Sequence, residues 1–330
     1  MANAFCGLTA NDVWKDAFAY LKAKGKQSIS REGDTQEILH VLMTIEDPRQ
    51  RWVYDRFPSM SIAFALAEII WILNGTDESE VINEWNPLLS SYAGNGDRYY
   101  GAYGKRIRKH YGFDQLERTY YALQSVPESR QVVIQIYDTE IDMPLDDGKP
   151  RSQDIPCNIC SMLKIRDEKL EWSQIMRSND IFRGMPYNFI QFTTIQEIMA
   201  GWLGLDVGAY SHYCDSLHLY EKDYARISNN GLDANNDILG INKLETDQLI
   251  KEIYERMKCL CNKKVDEKTI AKLAFLNSEH VAYNNMMLII AAYIAQRRKF
   301  NVLAEELVHK STNVLYQGMW QRWKEDRGYS

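Results

Sequence analysis

Surplus positive charge is what this sequence most lacks: 39 lysines and arginines stand against 45 aspartates and glutamates, for a formal charge of -6 and an isoelectric point near 5.6. Binding a nucleic-acid backbone needs clustered excess Lys and Arg, so a nucleic-acid polymer is excluded as the main partner, whereas one small anion needs only a few arginines. Long apolar runs are missing too. No segment reaches the length that spans a bilayer, and the first residues show no basic region followed by an apolar stretch, so neither a membrane anchor nor a secretory signal is expected. Cysteine is sparse: six in 330 residues, without the dense spacing of a small stapled domain, fit free thiols in a reducing cytoplasm. No internal repeat or low-complexity tract is present.

What is there is an ordinary globular composition, 45% apolar and 25% charged, on a chain long enough for one large core or two domains. Asn11 is placed to cap a helix over residues 12–22, followed by a polar loop at 25–33 and a strand at 36–45. Residues 61–73 read as a buried helix stopped by Asn74 and Gly75, with further helices at 77–89 and 113–123. Residues 130–137 alternate as a strand, and 158–166 pair with 169–176 across a turn at Asp167 and Glu168. A long apolar helix over 184–203 carries Pro186 in its first turn, and 207–220 is extended. From residue 222 onward the periodicity is helical, at 246–261, 266–276, 279–298 and 302–323. The predicted layout is an α+β catalytic body at 1–221 with a helical section at 222–330 packed on it, whose aromatic end is read as a lid or a dimer surface.

Within the body, several residues carry chemistry. Cys157, after Pro156, becomes a nucleophile if a cation such as Arg177 lowers its pKa; taken alone it is more often a buried, inert thiol. Cys157 and Cys160 form a C-x-x-C, but Cys259 and Cys261 lack ligand spacing and no histidines complete the set, so no metal is expected. Arg177 with Ser178 suits a phosphate, with Arg31 and Arg130 as further anchors, although any one of these arginines is ordinarily a solvated side chain. Asn188 lies one turn inside an apolar helix, where its amide must find partners; it matches a pyrimidine edge and equally fits a core asparagine satisfied by its neighbours. Glu68 is the one charge in the apolar 62–73 segment, which fits a carboxylic acid or base of raised pKa, or else a helix face that meets solvent once.

The order Pro156, Cys157, then Arg177-Ser178-x-Asp180-x-Phe182-x-Gly184-x-Pro186-Tyr187-Asn188, then His218-x-Tyr220, resembles thymidylate synthase over roughly residues 28–220. The resemblance implies a thymidylate-synthase-like mixed sheet with packed helices. It implies one-carbon transfer from 5,10-methylenetetrahydrofolate to C5 of a pyrimidine nucleoside monophosphate. In it Cys157 adds to C6, Glu68 moves protons through ordered water, and Tyr103 helps remove the C5 proton. Arg31, Arg177 and Ser178 hold the phosphate together with Arg130 reaching across a homodimer. Asn188 reads the base, Asp180 binds the pterin, His218 and Tyr220 hold the sugar, and Gly184 lets folate and nucleotide lie close.

The chain also departs from that pattern. Gln131 follows Arg130 where the family usually pairs two arginines, and Asn158 replaces the usual histidine after the nucleophile. Near the water-excluding tryptophan positions stand Leu88, Leu89 and Ser91, with only Trp85 upstream, and the apolar C-terminal tail is replaced by helices. If water reaches the methylene at C5, hydration replaces hydride transfer and the product is a hydroxymethyl pyrimidine, as in the hydroxymethylase branch of the family. The other readings are a divergent thymidylate synthase, and a catalytically silent nucleotide-binding dimer. Asn188 favours uracil over cytosine unless its amide turns over.

Overall fold

The computed structural model describes every residue except Met1, Ala2, Arg31, Glu32, Tyr224, Asn229, Asn230 and Ser330. Two compact units emerge, neither of them a single run of sequence: residues 1–60, 115–137 and 156–231 form one, and 61–114, 138–155 and 232–330 the other.

The first unit holds the strands β1 (Asn3–Gly7), β2 (Lys26–Ser30), β3 (Gly33–Ile45), β4 (Arg56–Phe57), β5 (Val133–Gln135), β6 (Asn158–Arg166), β7 (Lys169–Asp180), β8 (Asp206–Tyr220) and β9 (Arg226–Ile227). Seven of them make a mixed sheet in the order β1-β3-β8-β7-β6-β5, with β2 also on β3, while β4 and β9 pair separately. Pairing is parallel between β1 and β3 and between β7 and β8, and antiparallel elsewhere. The β6–β7 hairpin turns where expected. Asp167 and Glu168 both take positive φ, 49° and 60°, the backbone that matches the right-handed twist of a two-residue hairpin.

Three expectations for this unit are corrected. Residues 26–30 are a strand and not a loop, since backbone pairing with residues 33–37 of β3 forms it despite polar composition. β1, which the sequence did not signal, lies parallel to Val41–Ile45. Asn11 does not cap the first helix, Ala10–Lys24: Thr9 does, its hydroxyl accepting from Asp12 N at 3.1 Å. Asn11 turns inward, giving Nδ2–H to Asp55 Oδ2 at 3.0 Å and accepting from Asp55 N at 2.9 Å.

The helix Met185–Leu203 is buried on almost every side and packs on β7 and β8. Pro186 sits at its start, where a missing N–H costs nothing, and Gly204 ends it at φ +69°, satisfying the last carbonyls. One buried ion pair, Arg51 with Glu197, ties this helix to the segment after β3, and Arg51 also donates to Thr194 at 2.7 Å.

The second unit is helical. The helix Ile62–Leu73, capped by Ser61 and stopped at Gly75 with φ +62°, packs on Lys243–Leu260, Val281–Arg297 and Val314–Asp326. The 77–89 segment is not one helix but two short ones, Ser79–Asn83 and Leu89–Ala93. The 302–323 segment is likewise divided, into Asn301–Lys310 and Val314–Asp326. The aromatic end is core and not a lid: Trp320 and Trp323 are buried, their rings 5.2 Å apart, with Tyr293 packed on Trp323. Burying each such side chain contributes about 1.5–3 kcal/mol.

Candidate active site

The sheet itself sets up the site. Along β7 and β8 the even-numbered residues are buried: Leu170, Trp172, Gln174 and Met176 on one, Tyr210, His212 and Cys214 on the other. Beyond Met176 and Cys214 this alternation breaks. Arg177 is exposed, and Ser178, Asp180, Ser216, His218 and Tyr220 are half-buried. Ser178 lies opposite Ser216 and Asp180 opposite His218, so polar side chains gather at the carboxyl ends of a parallel strand pair, a common place for a ligand.

Cys157 directly precedes β6 and is half-buried. Its carbonyl accepts from Arg177 N at 3.0 Å, and Arg177 Nε donates to Pro156 O at 3.0 Å. The Arg177 guanidinium thus meets the carbonyl just before Cys157. Two neighbouring thiols are held in the protonated form: burial pushes Cys160 up, and burial together with the nearby Cys157 pushes Cys214 well above the ordinary thiol range.

Ser178 and His218 touch through Oγ and Nδ1 at 3.4 Å, and the His218 and Tyr220 rings meet edge-on at 5.4 Å. Sequence reasoning missed what steadies Tyr220: Arg183 lies over its ring, 4.8 Å to the centroid, and grips Asp223 with two contacts of 2.8 Å.

Asp180 accepts from Phe182 N and Arg183 N at 2.8 and 2.7 Å, both at Oδ1. Its Oδ2 is buried without a hydrogen bond, Arg183 Nε standing 3.9 Å away, and burial raises the carboxyl's pKa. Such an oxygen calls for a donor. Gly184 sits beside it at φ -93°, a backbone any residue adopts, and a Cβ there would meet Asn179 and Asn188 only at ordinary contact distance. Glycine is thus not demanded by the chain's own packing; it leaves room for something that binds. An orphaned acceptor next to a space without a side chain fits the donor-bearing pterin edge of a folate.

Asn188 is buried, and its Oδ1 accepts from Asn179 Nδ2 at 2.9 Å while its Nδ2 donates to Gln191 Oε1 at 2.9 Å. Behind Asn179 stands His212, with Nε2 3.0 Å from Asn179 Oδ1 and Nδ1 3.0 Å from Tyr210 Oη. None of these partners was singled out from sequence, although His212 is a polar residue at an inward position of a strand. Asn158, after the nucleophile, is fully buried; its Oδ1 accepts from Gln174 at 2.8 Å and its Nδ2 has no hydrogen-bond partner.

Glu68 and Tyr103 belong to the second unit. Glu68 is the only residue of Ile62–Leu73 that is not buried. Tyr103 begins a turn seated against the end of that helix, where a side chain on Gly104 would collide with the Ile72 carbonyl. Arg130 is exposed just before β5, and Arg31 lies outside the described residues.

A thymidylate synthase family model matches residues 15–286. The chain belongs to the thymidylate synthase family. It is 31% identical over 265 residues to a deoxyuridylate hydroxymethyltransferase of Bacillus phage SP01, covering 77% of this chain and 67% of that protein. It is 28% identical over 210 residues to another deoxyuridylate hydroxymethyltransferase, of Pseudomonas phage M6, covering 63% and 58%. It is 26% identical over 178 residues to a thymidylate synthase of Clostridium beijerinckii, covering 50% and 62%. The chain thus spans roughly three fifths to two thirds of these relatives' lengths. Within the thymidylate synthase family its departures take physical form here. The Trp85 indole is buried and donates to Ile290 O at 3.0 Å, while Leu88 is exposed. The tryptophans of Val314–Asp326 are packed in the helical core.

Proposed function

We propose that this protein is a folate-dependent pyrimidine-nucleotide hydroxymethylase acting on deoxyuridylate. The observation that carries the reading is the strand-end cluster: Arg177 against the Pro156–Cys157 segment, Ser178 with His218, and Asp180 with an unsatisfied oxygen beside Gly184. Arg177 and Ser178, with Arg31 and Arg130, hold the phosphate; His218 and Tyr220 hold the sugar; Asn188 reads the base. Cys157 adds to C6, which makes C5 a carbon nucleophile. Asp180 and the space at Gly184 hold methylenetetrahydrofolate, which supplies the one-carbon unit. Tyr103 assists loss of the C5 proton, and Glu68 delivers water to the methylene at C5. The hydroxymethyl outcome is supported by Trp85 being committed to the helical core. The catalytic arrangement is a homodimer in the cytoplasm, with the exposed Arg130 lending its charge to the partner's phosphate site. No helix among the described residues is long and apolar enough to cross a membrane.

The test is incubation with deoxyuridylate and methylenetetrahydrofolate. A hydroxymethyl product without dihydrofolate is expected; accumulating dihydrofolate identifies the second reading, a thymidylate synthase, which the Clostridium relative represents. Tritium release from C5-labelled nucleotide excludes a silent binder. Cys157→Ser is expected to slow that release by about three orders of magnitude while nucleotide binding changes little.

A further inference from the structure

Asn188 is the end of a hydrogen-bond chain that has a direction. Asn179 Oδ1 only accepts, so His212 Nε2 carries the proton and donates to it at 3.0 Å. His212 is fully buried and its pKa is lowered to about 3 by that burial, so the ring holds one proton and Nδ1 is bare. Tyr210 O–H therefore donates to Nδ1 at 3.0 Å. Continuing forward, Asn179 Nδ2 donates to Asn188 Oδ1, and Asn188 Nδ2 donates to Gln191 Oε1.

Every link in such a chain can be reversed together, turning both asparagine amides and the Gln191 amide over and moving the histidine proton to Nδ1. In the direction observed, Asn188 offers its remaining lone pair on Oδ1 and its remaining hydrogen on Nδ2. That pair matches the N3–H donor and O4 acceptor of uracil. Reversed, the same two positions offer a donor and an acceptor, which match N3 and the N4 amino group of cytosine.

The two directions are not equivalent, because of Tyr210. Its side chain is fully buried, and among the described residues His212 Nδ1 is its one hydrogen-bond acceptor. Reversal makes Nδ1 a donor and strands the phenol hydrogen in the core, which is costly for a buried group. We propose that Tyr210, through His212 and Asn179, locks the Asn188 amide in the orientation that selects uracil over cytosine. The three are positioning residues that touch no substrate. The inference rests on the reading of Asn188 as the base contact.

Tyr210→Phe removes one oxygen atom and keeps the ring. With C5-tritiated deoxyuridine and deoxycytidine monophosphates, the ratio of the two kcat/KM values for tritium release is measured in wild type and variant. Wild type should favour uracil, and Tyr210→Phe should narrow the ratio by about tenfold, partly through a gain on cytosine. Asn179→Asp is the second variant: its carboxylate accepts from both sides, so Asn188 must turn its Nδ2 towards it, and preference should move towards cytosine. Mere damage to the core lowers both rates together and leaves the ratio alone. A ratio unchanged within twofold in both variants overturns the lock, as does a wild type that prefers cytosine. Absence of tritium release from either nucleotide in wild type instead sinks the proposed function itself.

Discussion

Arg183 and Asp223 form a two-pronged ion pair, both contacts at 2.8 Å, in which the guanidinium also covers the ring of Tyr220. The carboxylate fixes the arginine, and the arginine fixes a side chain assigned to the sugar. Asp223→Ala should release that stack and raise KM for nucleotide by about tenfold with kcat little changed. Steady-state kinetics decide it. A fall confined to kcat would place Tyr220 outside ground-state binding.

Asp180 keeps a buried oxygen without a hydrogen bond, which the proposed function pairs with the folate. Asp180→Asn preserves acceptance from Phe182 N and Arg183 N while removing a carboxyl whose ionised form burial disfavours. Melting should occur at or above the wild-type temperature, and KM for the folate should rise at least about tenfold. A variant that melts lower and binds folate normally contradicts the assignment.

His212 makes stability depend on pH. Its folded pKa of about 3 lies below the ordinary imidazole value of 6.5, so the unfolded chain takes up the proton first as pH falls. The contribution is complete above pH 6.5 and is lost on acidification towards pH 3, at up to about 1.4 kcal/mol per unit. Urea midpoints recorded across that window should slope less steeply for His212→Gln than for wild type.

Arg106 and Asp142, both buried, join through contacts of 2.9 and 2.8 Å, with the guanidinium also 5.0 Å over Tyr100. Asp142→Ala leaves the arginine's charge buried and uncompensated. Destabilisation of about 3–5 kcal/mol is expected by chemical denaturation, and replacing both residues together should cost less than the single change.

Much of this was legible in the linear sequence, for identifiable reasons. The hairpin at Asp167 and Glu168, the helix Met185–Leu203 and the stop at Gly75 all announce themselves locally, through turn residues and periodicity. So do the motif residues from Cys157 to Tyr220, because their order alone carries the pattern. β2 did not, since its stability lies in pairing with β3 rather than in composition. Thr9 outcompeted Asn11 as a cap because Asn11 is drawn to Asp55, forty-four positions away. The chain from Tyr210 to Gln191 was invisible for the same reason: its links join a strand end, a second strand and a helix, and no spacing rule connects them.

The helix Ile62–Leu73 finally raises a question of timing. Asn74, just past its end, hydrogen-bonds to Ile250, 176 positions later, and its apolar sides are covered mostly by helices from residue 243 onward. During translation this segment leaves the ribosome with most of its cover still unmade, at a stage when exposed apolar surface invites aggregation. Folding of the second unit therefore waits on the segments from residue 243 onward, and a nascent protein stalled before them should be the form that chaperones hold.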